Sequence, residues 1–217
     1  MHTPVNILIV DDHALVRAAL AERLAREPGF CVLPSAADAD TARRLIACHQ
    51  PDVILMDIDL AGSESLAVTG ELLGNGCPAR IIFVTGLIYD RYIDFALERG
   101  VRGFVSKGDS PDVLVTAVRA VMRDQVFYSA EVRRRIAPTT PAGGHATIRT
   151  RGAVLTPRQR QILGHIAQGK SKSQMAYQIG VSVKTVETHC QLLMDRLGLR
   201  DRVALVRFAI RERLIEP

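Results

Sequence analysis

The sequence has 217 residues, of which 47% are hydrophobic and 24% are charged. That composition excludes a chain disordered throughout and provides enough apolar material for two modest domains. The chain lacks both the roughly 18 consecutive apolar residues of a membrane span and the basic leader of a signal peptide. Its four cysteines have no metal-binding spacing, so we expect a cytoplasmic protein, with no membrane partner, whose cysteines are reduced and mostly buried.

Charge is distributed unevenly along the chain. Through Phe127 the sequence carries 12 basic and 17 acidic residues, a net charge of −5, whereas the remainder carries 16 and 6, a net charge of +10. An acidic first half and a basic second half favour two different tasks, and nucleic acid is the natural partner of the basic half. Charge alone leaves open the alternative of an incidental effect on solubility.

The first half alternates short apolar runs with amphipathic stretches. The apolar runs have the character of buried parallel strands. They are Val5–Val10, Phe30–Leu33, Val53–Met56, Arg80–Val84 and Gly103–Ser106. A helical pattern follows each run, so residues 1–126 are predicted to form a doubly wound α/β domain with a five-stranded parallel sheet.

The second half begins with a connecting segment and continues with helix signals. Residues 127–152 contain a short helical pattern near Ala130–Ile136 and then a stretch rich in Pro, Gly and Thr, which predicts a flexible linker. In residues 153–217, Thr156-Pro157 is typical of a helix start, and Gly180-Val181-Ser182 forms a turn before a third helix. Four short helices with a tight turn before the third predict an all-α helix-turn-helix domain.

Polar side chains follow four of the predicted strands. Asp11 and Asp12 follow the first strand, Asp57 the third, Thr85 the fourth and Lys107 the fifth. If the strand order is two-one-three-four-five, these side chains converge at the carboxyl edge of the sheet, where such folds bind ligands.

Clustered carboxylates repel one another unless a cation lies among them, and hard oxygen ligands favour Mg²⁺. A carboxylate can also accept a phosphoryl group, whose oxygens a lysine and a threonine hydroxyl can contact. Taken singly, Asp12 could be only a helix N-cap, Lys107 a solvated lysine and Thr85 a turn residue. Their combination at four strand ends favours one shared site.

These residues resemble the signature of bacterial receiver domains over roughly residues 5–124. The resemblance implies a flavodoxin-like fold and phosphorylation of Asp57 by a sensor histidine kinase. It further implies an ion held by Asp11, Asp12, Asp57 and the backbone of Asp59. By the same resemblance, Thr85, Lys107 and Phe104 contact the phosphoryl group or switch.

Two residues depart from the receiver pattern, and one motif suggests an enzyme. Ala61 stands where Pro is frequent, and Gly86 stands where Ala or Ser is commoner. Asp57-Ile-Asp59 resembles the Asp-x-Asp motif of haloacid-dehalogenase-type phosphatases. In those enzymes the motif follows the first strand, whereas here it follows the third, so a regulator that is not an enzyme is the favoured interpretation.

The basic half resembles LuxR-type helix-turn-helix domains over about residues 153–215. The resemblance is carried by the segments Leu155–Leu163, Gly169–Lys172, Ile179–Ser182 and Lys184–His189. With a receiver in front, the chain resembles response regulators of the NarL/FixJ class. This implies a transcription regulator that binds promoter DNA as a dimer.

The helix from Val183 to Leu197 is the predicted recognition helix. One face should pack in the core, through Val186, Cys190, Leu193 and Leu197. The predicted DNA contacts lie on the other face and on nearby basic residues. They are Lys170, Lys172, Lys184, Thr185, Thr188, Gln191, Arg200 and Arg202.

The last helix, about Arg202 to Leu214, resembles the family's dimerisation helix through Val203, Val206 and Phe208, although packing within the domain is the alternative for each. Five residues depart from the family pattern and leave sequence preference open. They are Gln159, Gln161, Cys190, Leu192 and Asp195. A protein-interaction adaptor whose helix-turn-helix no longer binds DNA specifically therefore remains a second hypothesis.

Overall fold

A computed structural model describes residues 3–60, 64–139, 147–150, 152 and 155–212. The chain forms two compact units, Met1–Ile88 with Phe95–Arg134 and Tyr89–Asp94 with Arg135–Pro217. Ala61 and Leu214, which the sequence analysis singles out, lie outside the described residues.

The first unit is built on a parallel sheet whose strand order is β2-β1-β3-β4-β5-β6. The strands are β1 (Val5–Val10), β2 (Phe30–Val32), β3 (Val53–Asp57), β4 (Arg80–Thr85), β5 (Gly103–Ser106) and β6 (Phe127–Tyr128). The assumed order is confirmed, but the sheet has six strands rather than five. The sequence does not reveal β6 because it is two residues long and exists only through its pairing with β5, Gly103 opposite Phe127.

Helices connect the strands. They are α1 (Ala14–Ala25), α2 (Ala39–His49), α3 (Glu64–Gly74), α4 (Asp90–Arg99), α5 (Pro111–Val121) and α6 (Ala130–Arg135). The central strands are apolar because both of their faces are covered. Ile9, Leu55 and Ile82 of the sheet share one buried cluster with Leu114 and Val118 of α5. This rigid layer fixes where the strands end and therefore where the loops begin.

The predicted linker contains more regular structure than expected. After α6, β7 (Ile136–Thr139) pairs antiparallel with β8 (Thr147–Thr150). β-branched Ile and Thr favour extended backbone, and Pro138 is tolerated because both strands of a two-stranded ribbon are edges. Residues 140–146, which contain most of the Pro- and Gly-rich stretch, lie outside the described residues.

The four predicted helices of the second unit are present, and each begins at a capped residue. They are α7 (Pro157–Ala167), α8 (Lys172–Ile179), α9 (Val183–Leu197) and α10 (Arg202–Arg211). The N-cap side chains, each of which accepts a backbone N–H three residues on, are Thr156, Ser171, Ser182 and Asp201. Such caps stabilise a helix by about 1 kcal/mol each.

The core of the helical unit confirms the predicted face of α9. Val186, Cys190, Leu193 and Leu197 are its buried residues, and they share a cluster with residues of α7, α8 and α10. Of the four cysteines, only Cys190 is buried, as the sequence analysis expected of most of them. Cys31 and Cys48 are exposed, so that expectation is wrong.

Among the described residues, every helix is too short or too polar to cross a membrane.

Candidate functional site

The register of the sheet brings the predicted pocket residues together. Val10 lies opposite Met56 across β1 and β3, so Asp11 and Asp57 are neighbours at the same edge. Thr85 and Ser106 are partners at the ends of β4 and β5, and Lys107 follows directly. Parallel pairing therefore assembles one pocket from positions that are far apart in the chain.

Lys107 is the centre of the pocket. Its Nζ lies 2.7 Å from Asp57 Oδ2 and 2.8 Å from Asp11 Oδ2. Both carboxylates are almost inaccessible, with Asp57 1% and Asp11 2% exposed. One ammonium group stabilises both buried carboxylates, but two carboxylates against one ammonium leave the pocket with a net negative charge.

Burial and pairing oppose each other in this pocket. Burial raises the pKa of Asp57 above its ordinary value, although the hydrogen bond from Lys107 pulls it back. Burial acts to lower the pKa of Lys107, but its hydrogen bonds to Asp11 and Asp57 outweigh that effect and leave the pKa raised. The lysine therefore stays charged and available to an anionic group on Asp57.

Asp12 and His13 complete a group of possible metal ligands at the pocket mouth. Donor atoms of Asp11, Asp12, His13 and Asp57 all lie within 4.8 Å of one another. His13 Nδ1 is 2.6 Å from Asp12 Oδ1, and the His13 backbone N–H donates to Asp11 Oδ1 at 2.8 Å. Three clustered carboxylates are a donor set that fits a hard divalent cation. The sequence analysis missed His13, although its position directly after Asp11-Asp12 was the available signal.

Asp59 and Thr85 form a second part of the pocket. The backbone N–H of Asp59 donates to Asp57 Oδ1 at 3.2 Å. The Thr85 hydroxyl, which is fully buried, donates to Asp59 Oδ2 at 2.8 Å. The sequence analysis placed Asp59 at the metal site through its backbone and did not predict its side-chain contact with Thr85.

Phe104 lies on β5, three residues before Lys107, and is also fully buried. Its ring packs edge-on against Phe83, with ring centroids 5.9 Å apart.

Gly86 is one of the two residues that depart from the receiver pattern, and a Cβ added there would meet nothing within 4 Å. Glycine is therefore not required there by sterics.

The predicted recognition helix, α9, presents its polar face to solvent. Lys184, Thr188 and Gln191 are exposed, and Thr185 is half-buried. Thr185 is tied to the N-cap of α9, because its Oγ1 lies 2.8 Å from Ser182 Oγ. Leu192 is exposed on this helix at 44%, an unusual apolar group on a polar surface.

Acidic side chains engage two of the predicted DNA contacts. Lys172 Nζ pairs with Glu187 Oε1 at 2.9 Å, and Gln191 Nε2 donates to Asp195 Oδ1 at 3.0 Å. The hydrogen bond from Lys172 lowers the pKa of Glu187 and keeps it ionised. The face is thus less basic than its lysines alone would make it.

Of the remaining predicted DNA contacts, some make hydrogen bonds within the protein and one is exposed to solvent. The Lys170 ammonium donates to Gln178 Oε1 at 2.7 Å, and Arg202 donates to the backbone carbonyl of Lys170. Arg200 is exposed. Lys170 and Arg202 therefore help to fix the loop between α7 and α8, while Arg200 reaches solvent.

The three predicted dimer residues of α10 differ in how far their side chains are exposed. Val203 is 60% exposed, whereas Phe208 is 6% exposed and belongs to the core of its own unit. Val206 is partly buried against the same core. For Phe208 the structure thus favours the packing alternative, and Val203 carries the exposed apolar surface.

A parallel α/β domain with this acidic pocket, followed by a helix-turn-helix unit, defines the class of response regulators with a DNA-binding output domain. Residues 7–119 match the response regulator receiver domain, and residues 153–209 match the bacterial regulatory proteins of the luxR family. The chain therefore belongs to the NarL/FixJ class of response regulators. This class consists of DNA-binding transcriptional regulators rather than enzymes, which decides against the phosphatase alternative.

Similar proteins cover the whole chain. The probable transcriptional regulatory protein NarL of Mycobacterium tuberculosis is 32% identical over 98% of this chain and 96% of its own length. The nitrate/nitrite response regulator protein NarP of Escherichia coli is 32% identical over 97% of each chain. A solved structure of RcsB from Salmonella enterica, bound to promoter rprA with a phosphomimetic, has a TM-score of 0.67 at 18% identity. It covers 94% of this chain and 97% of that one, and it supports the fold.

Proposed function

We propose that a sensor histidine kinase phosphorylates this protein on Asp57, and that phosphorylation favours a homodimer that binds promoter DNA through α9. The proposal assigns residues 1–126 to the receiver, 127–152 to the linker and 153–217 to the DNA-binding domain. The observation that carries it is Lys107, whose ammonium bridges the buried carboxylates of Asp11 and Asp57. A location in the cytoplasm, where promoter DNA is found, follows from these partners.

The chemistry assigned to Asp57 is nucleophilic. One Asp57 carboxylate oxygen attacks the phosphorus of a phosphohistidine, a P–O bond forms, and the P–N bond breaks. The departing imidazole nitrogen keeps the electron pair and can take up a proton from solvent. Lys107 already contacts Asp57 Oδ2 at 2.7 Å, so its ammonium can pair with the new phosphoryl oxygens without a large movement.

Asp11, Asp12 and Asp57 would hold Mg²⁺, together with the backbone carbonyl of Asp59. The carboxylate donor set of the pocket supports this assignment. A bound magnesium ion would neutralise negative charge on the phosphoryl group during transfer. The side chains of the protein orient the acceptor, since Lys107 and the Asp59 backbone each fix one oxygen of Asp57.

The DNA contacts are proposed on the exposed face of α9. Thr185, Thr188 and Gln191 would reach base edges in the major groove. Lys170, Lys172, Lys184 and Arg200 would contact phosphates. Support comes from the exposure of Lys184, Thr188 and Gln191 and from the promoter complex of RcsB, a protein of the same fold.

A homodimer would read two half-sites about one DNA turn apart and would double the number of phosphate contacts. Its contact would use Val203 and Val206 of α10, while Phe208 would support that helix from the core. The exposed apolar surface of Val203 supports this choice.

The decisive experiment follows phosphorylation and DNA binding in the same full-length preparation. With a small phosphodonor and Mg²⁺, the wild-type protein should gain one hydroxylamine-sensitive phosphoryl group by intact mass, and Asp57→Asn should gain none. Phosphorylated protein should bind genomic fragments selected by affinity more tightly than unphosphorylated protein, with a steep dependence on salt.

Asp52→Asn is a matched control for loss of one carboxylate. Asp52 accepts the Asn6 backbone N–H at 2.8 Å and takes no part in the proposed pocket. A label that persists on Asp57→Asn contradicts the acceptor assignment. Binding that stays weak and independent of sequence, with or without the label, would favour the adaptor hypothesis.

A further inference from the structure

Asp59 touches both the acceptor and the switch residue, through different parts of the residue. Its backbone N–H donates to Asp57 Oδ1 at 3.2 Å. Its carboxylate Oδ2 accepts the Thr85 hydroxyl at 2.8 Å. Any change in the bonding of Thr85 therefore has to involve the Asp59 side chain.

The Thr85 hydroxyl has a single proton to donate. Two acceptors are in reach, Asp59 Oδ2 at 2.8 Å and the Leu87 carbonyl at 3.1 Å. The Leu87 backbone N–H already donates to Thr85 Oγ1 at 3.0 Å. Because hydrogen bonds to ionised acceptors are about twice as strong as neutral ones, the Thr85 hydroxyl donates to Asp59 Oδ2 rather than to the Leu87 carbonyl.

We propose that Asp59 is a positioning residue for the switch, whose carboxylate holds the Thr85 hydroxyl and opposes its transfer to a phosphoryl group on Asp57. The inference rests on the proposed function, since it takes Asp57 as the acceptor. On switching, the hydrogen bond from the Thr85 hydroxyl to Asp59 Oδ2 breaks, and the hydroxyl, which keeps its proton, donates to a phosphoryl oxygen instead. The Asp59 side chain is only partly buried, so water can replace Thr85 as its partner.

Because the Thr85 hydroxyl must give up its hydrogen bond to Asp59, the Asp59 carboxylate disfavours the switched state. A phosphoryl group gains the Thr85 hydrogen bond only after the bond to Asp59 is broken. The net gain is therefore smaller than in a pocket where the hydroxyl has no charged acceptor. Removing the carboxylate should strengthen binding of a phosphoryl analogue, but only if Thr85 has its hydroxyl.

The test is a double-mutant cycle on the full-length protein with Mg²⁺ and beryllofluoride, a phosphoryl analogue. Affinity is measured by titration for wild type, Asp59→Ala, Asp59→Asn, Thr85→Ala and the double variant Asp59→Ala with Thr85→Ala. Residue 59 keeps its backbone carbonyl in every variant, so its proposed metal contact is unchanged. Glu64→Ala, which removes an exposed carboxylate at the start of α3, controls for loss of charge alone.

Asp59→Ala should raise the affinity for beryllofluoride roughly five- to tenfold. Asp59→Asn should give a smaller rise, because its amide oxygen still accepts a hydrogen bond but is uncharged. On the Thr85→Ala background, Asp59→Ala should change affinity by less than about twofold. In the absence of ligand, Asp59→Ala should also shift the Leu87 amide resonance, because its acceptor Thr85 Oγ1 is reoriented.

An equal gain with and without the Thr85 hydroxyl would mean that Asp59 acts on the ligand by charge, and it overturns the inference. No gain in Asp59→Ala overturns it as well. If Asp59→Ala does not fold, the same cycle with Asp59→Asn decides. Wild-type protein that fails to bind, or Asp57→Asn that binds unchanged, refutes the proposed function and this inference together. If Asp57→Asn loses beryllofluoride binding but the Asp59 and Thr85 variants show no coupling in the double-mutant cycle, only the inference about Asp59 is refuted.

Discussion

The receiver pocket and the exposed polar face of α9 both carry charged groups, but they organise them in opposite ways. In the pocket, Asp11 and Asp57 are buried, and their shared partner Lys107 is 50 residues from Asp57. On α9, Gln191 and Asp195 are exposed and only four residues apart. The buried charges thus depend on the register of the whole sheet, whereas the exposed pair of Gln191 and Asp195 depends on a single helix. The exposed pair of Lys172 and Glu187 depends only on two neighbouring helices. Substitutions in the pocket should have large and coupled effects, and those on α9 small and separable ones.

The largest effect is expected when the pocket loses the cation that bridges Asp11 and Asp57, in Lys107→Met. Two buried carboxylates are then left without their partner, and breaking such a pair costs about 3–5 kcal/mol. We expect the free energy of unfolding to fall by roughly 3 kcal/mol in chemical denaturation. Added Mg²⁺ should restore part of that loss, because it binds only the folded pocket.

Asp57→Asn is the matched partner of this experiment. Combined with Lys107→Met, it removes one of the two repelling charges and should recover stability. A Lys107→Met protein as stable as wild type without Mg²⁺ would contradict the view that this lysine stabilises the two buried carboxylates.

Asp12→Ala should weaken Mg²⁺ binding at least about tenfold, as expected for loss of a metal-supporting residue. Asp12 is more exposed than Asp11 or Asp57, so its loss should leave the free energy of unfolding nearly unchanged in metal-free buffer. Calorimetric titration with Mg²⁺ measures the affinity, and Asp40→Ala, which changes an exposed carboxylate on α2, is the control. Unchanged affinity in Asp12→Ala would remove that residue from the proposed ligand set.

On α9, Lys184→Ala should weaken binding by a similar factor for every DNA sequence. The slope of log affinity against log salt should become shallower by about 0.9, the contribution of one phosphate contact. Binding measured at several salt concentrations on two different fragments tests this. If Lys184→Ala instead changes the preference between fragments, that lysine contacts a base.

The smallest expected effect is a gain in Asp195→Asn. Asp195 adds negative charge to a face that would approach phosphates, so its removal should tighten DNA binding roughly two- to fivefold at low salt. Screening should erase most of the gain at high salt. Asp195→Glu keeps the charge and should behave like wild type. A gain that is independent of salt would indicate that Asp195 acts by holding Gln191 instead.

Features that follow from a regular pattern of apolar residues could be predicted from the sequence alone. Apolar runs predicted the central strands, because buried parallel strands are apolar on both faces. The order two-one-three-four-five was assumed rather than predicted from those runs, and the structure confirms it. Once the order is known, the proximity of Asp11, Asp57 and Lys107 follows from strand ends. The spacing of Val186, Cys190, Leu193 and Leu197 likewise predicted the buried face of α9, which is confirmed.

What the sequence could not predict depends on pairing or on rotamers. β6 is two residues long and is defined only by hydrogen bonds to β5. The contact of Asp59 with Thr85 joins side chains 26 residues apart and depends on the conformation of a loop. The roles of the individual side chains in phosphorylation, DNA contact and dimer formation stay predictions, because proximity alone does not assign chemistry.

The four capped helix starts have a consequence for evolvability. Each cap of α7 to α10 is a hydrogen bond between residues three apart. In α9 the buried positions are 186, 190, 193 and 197. Positions 184, 188, 191 and 195 belong neither to a cap nor to the core. Substitutions at these positions should therefore change the free energy of unfolding very little. Duplicated copies of this scaffold can therefore diverge in the promoters they recognise while every copy still folds.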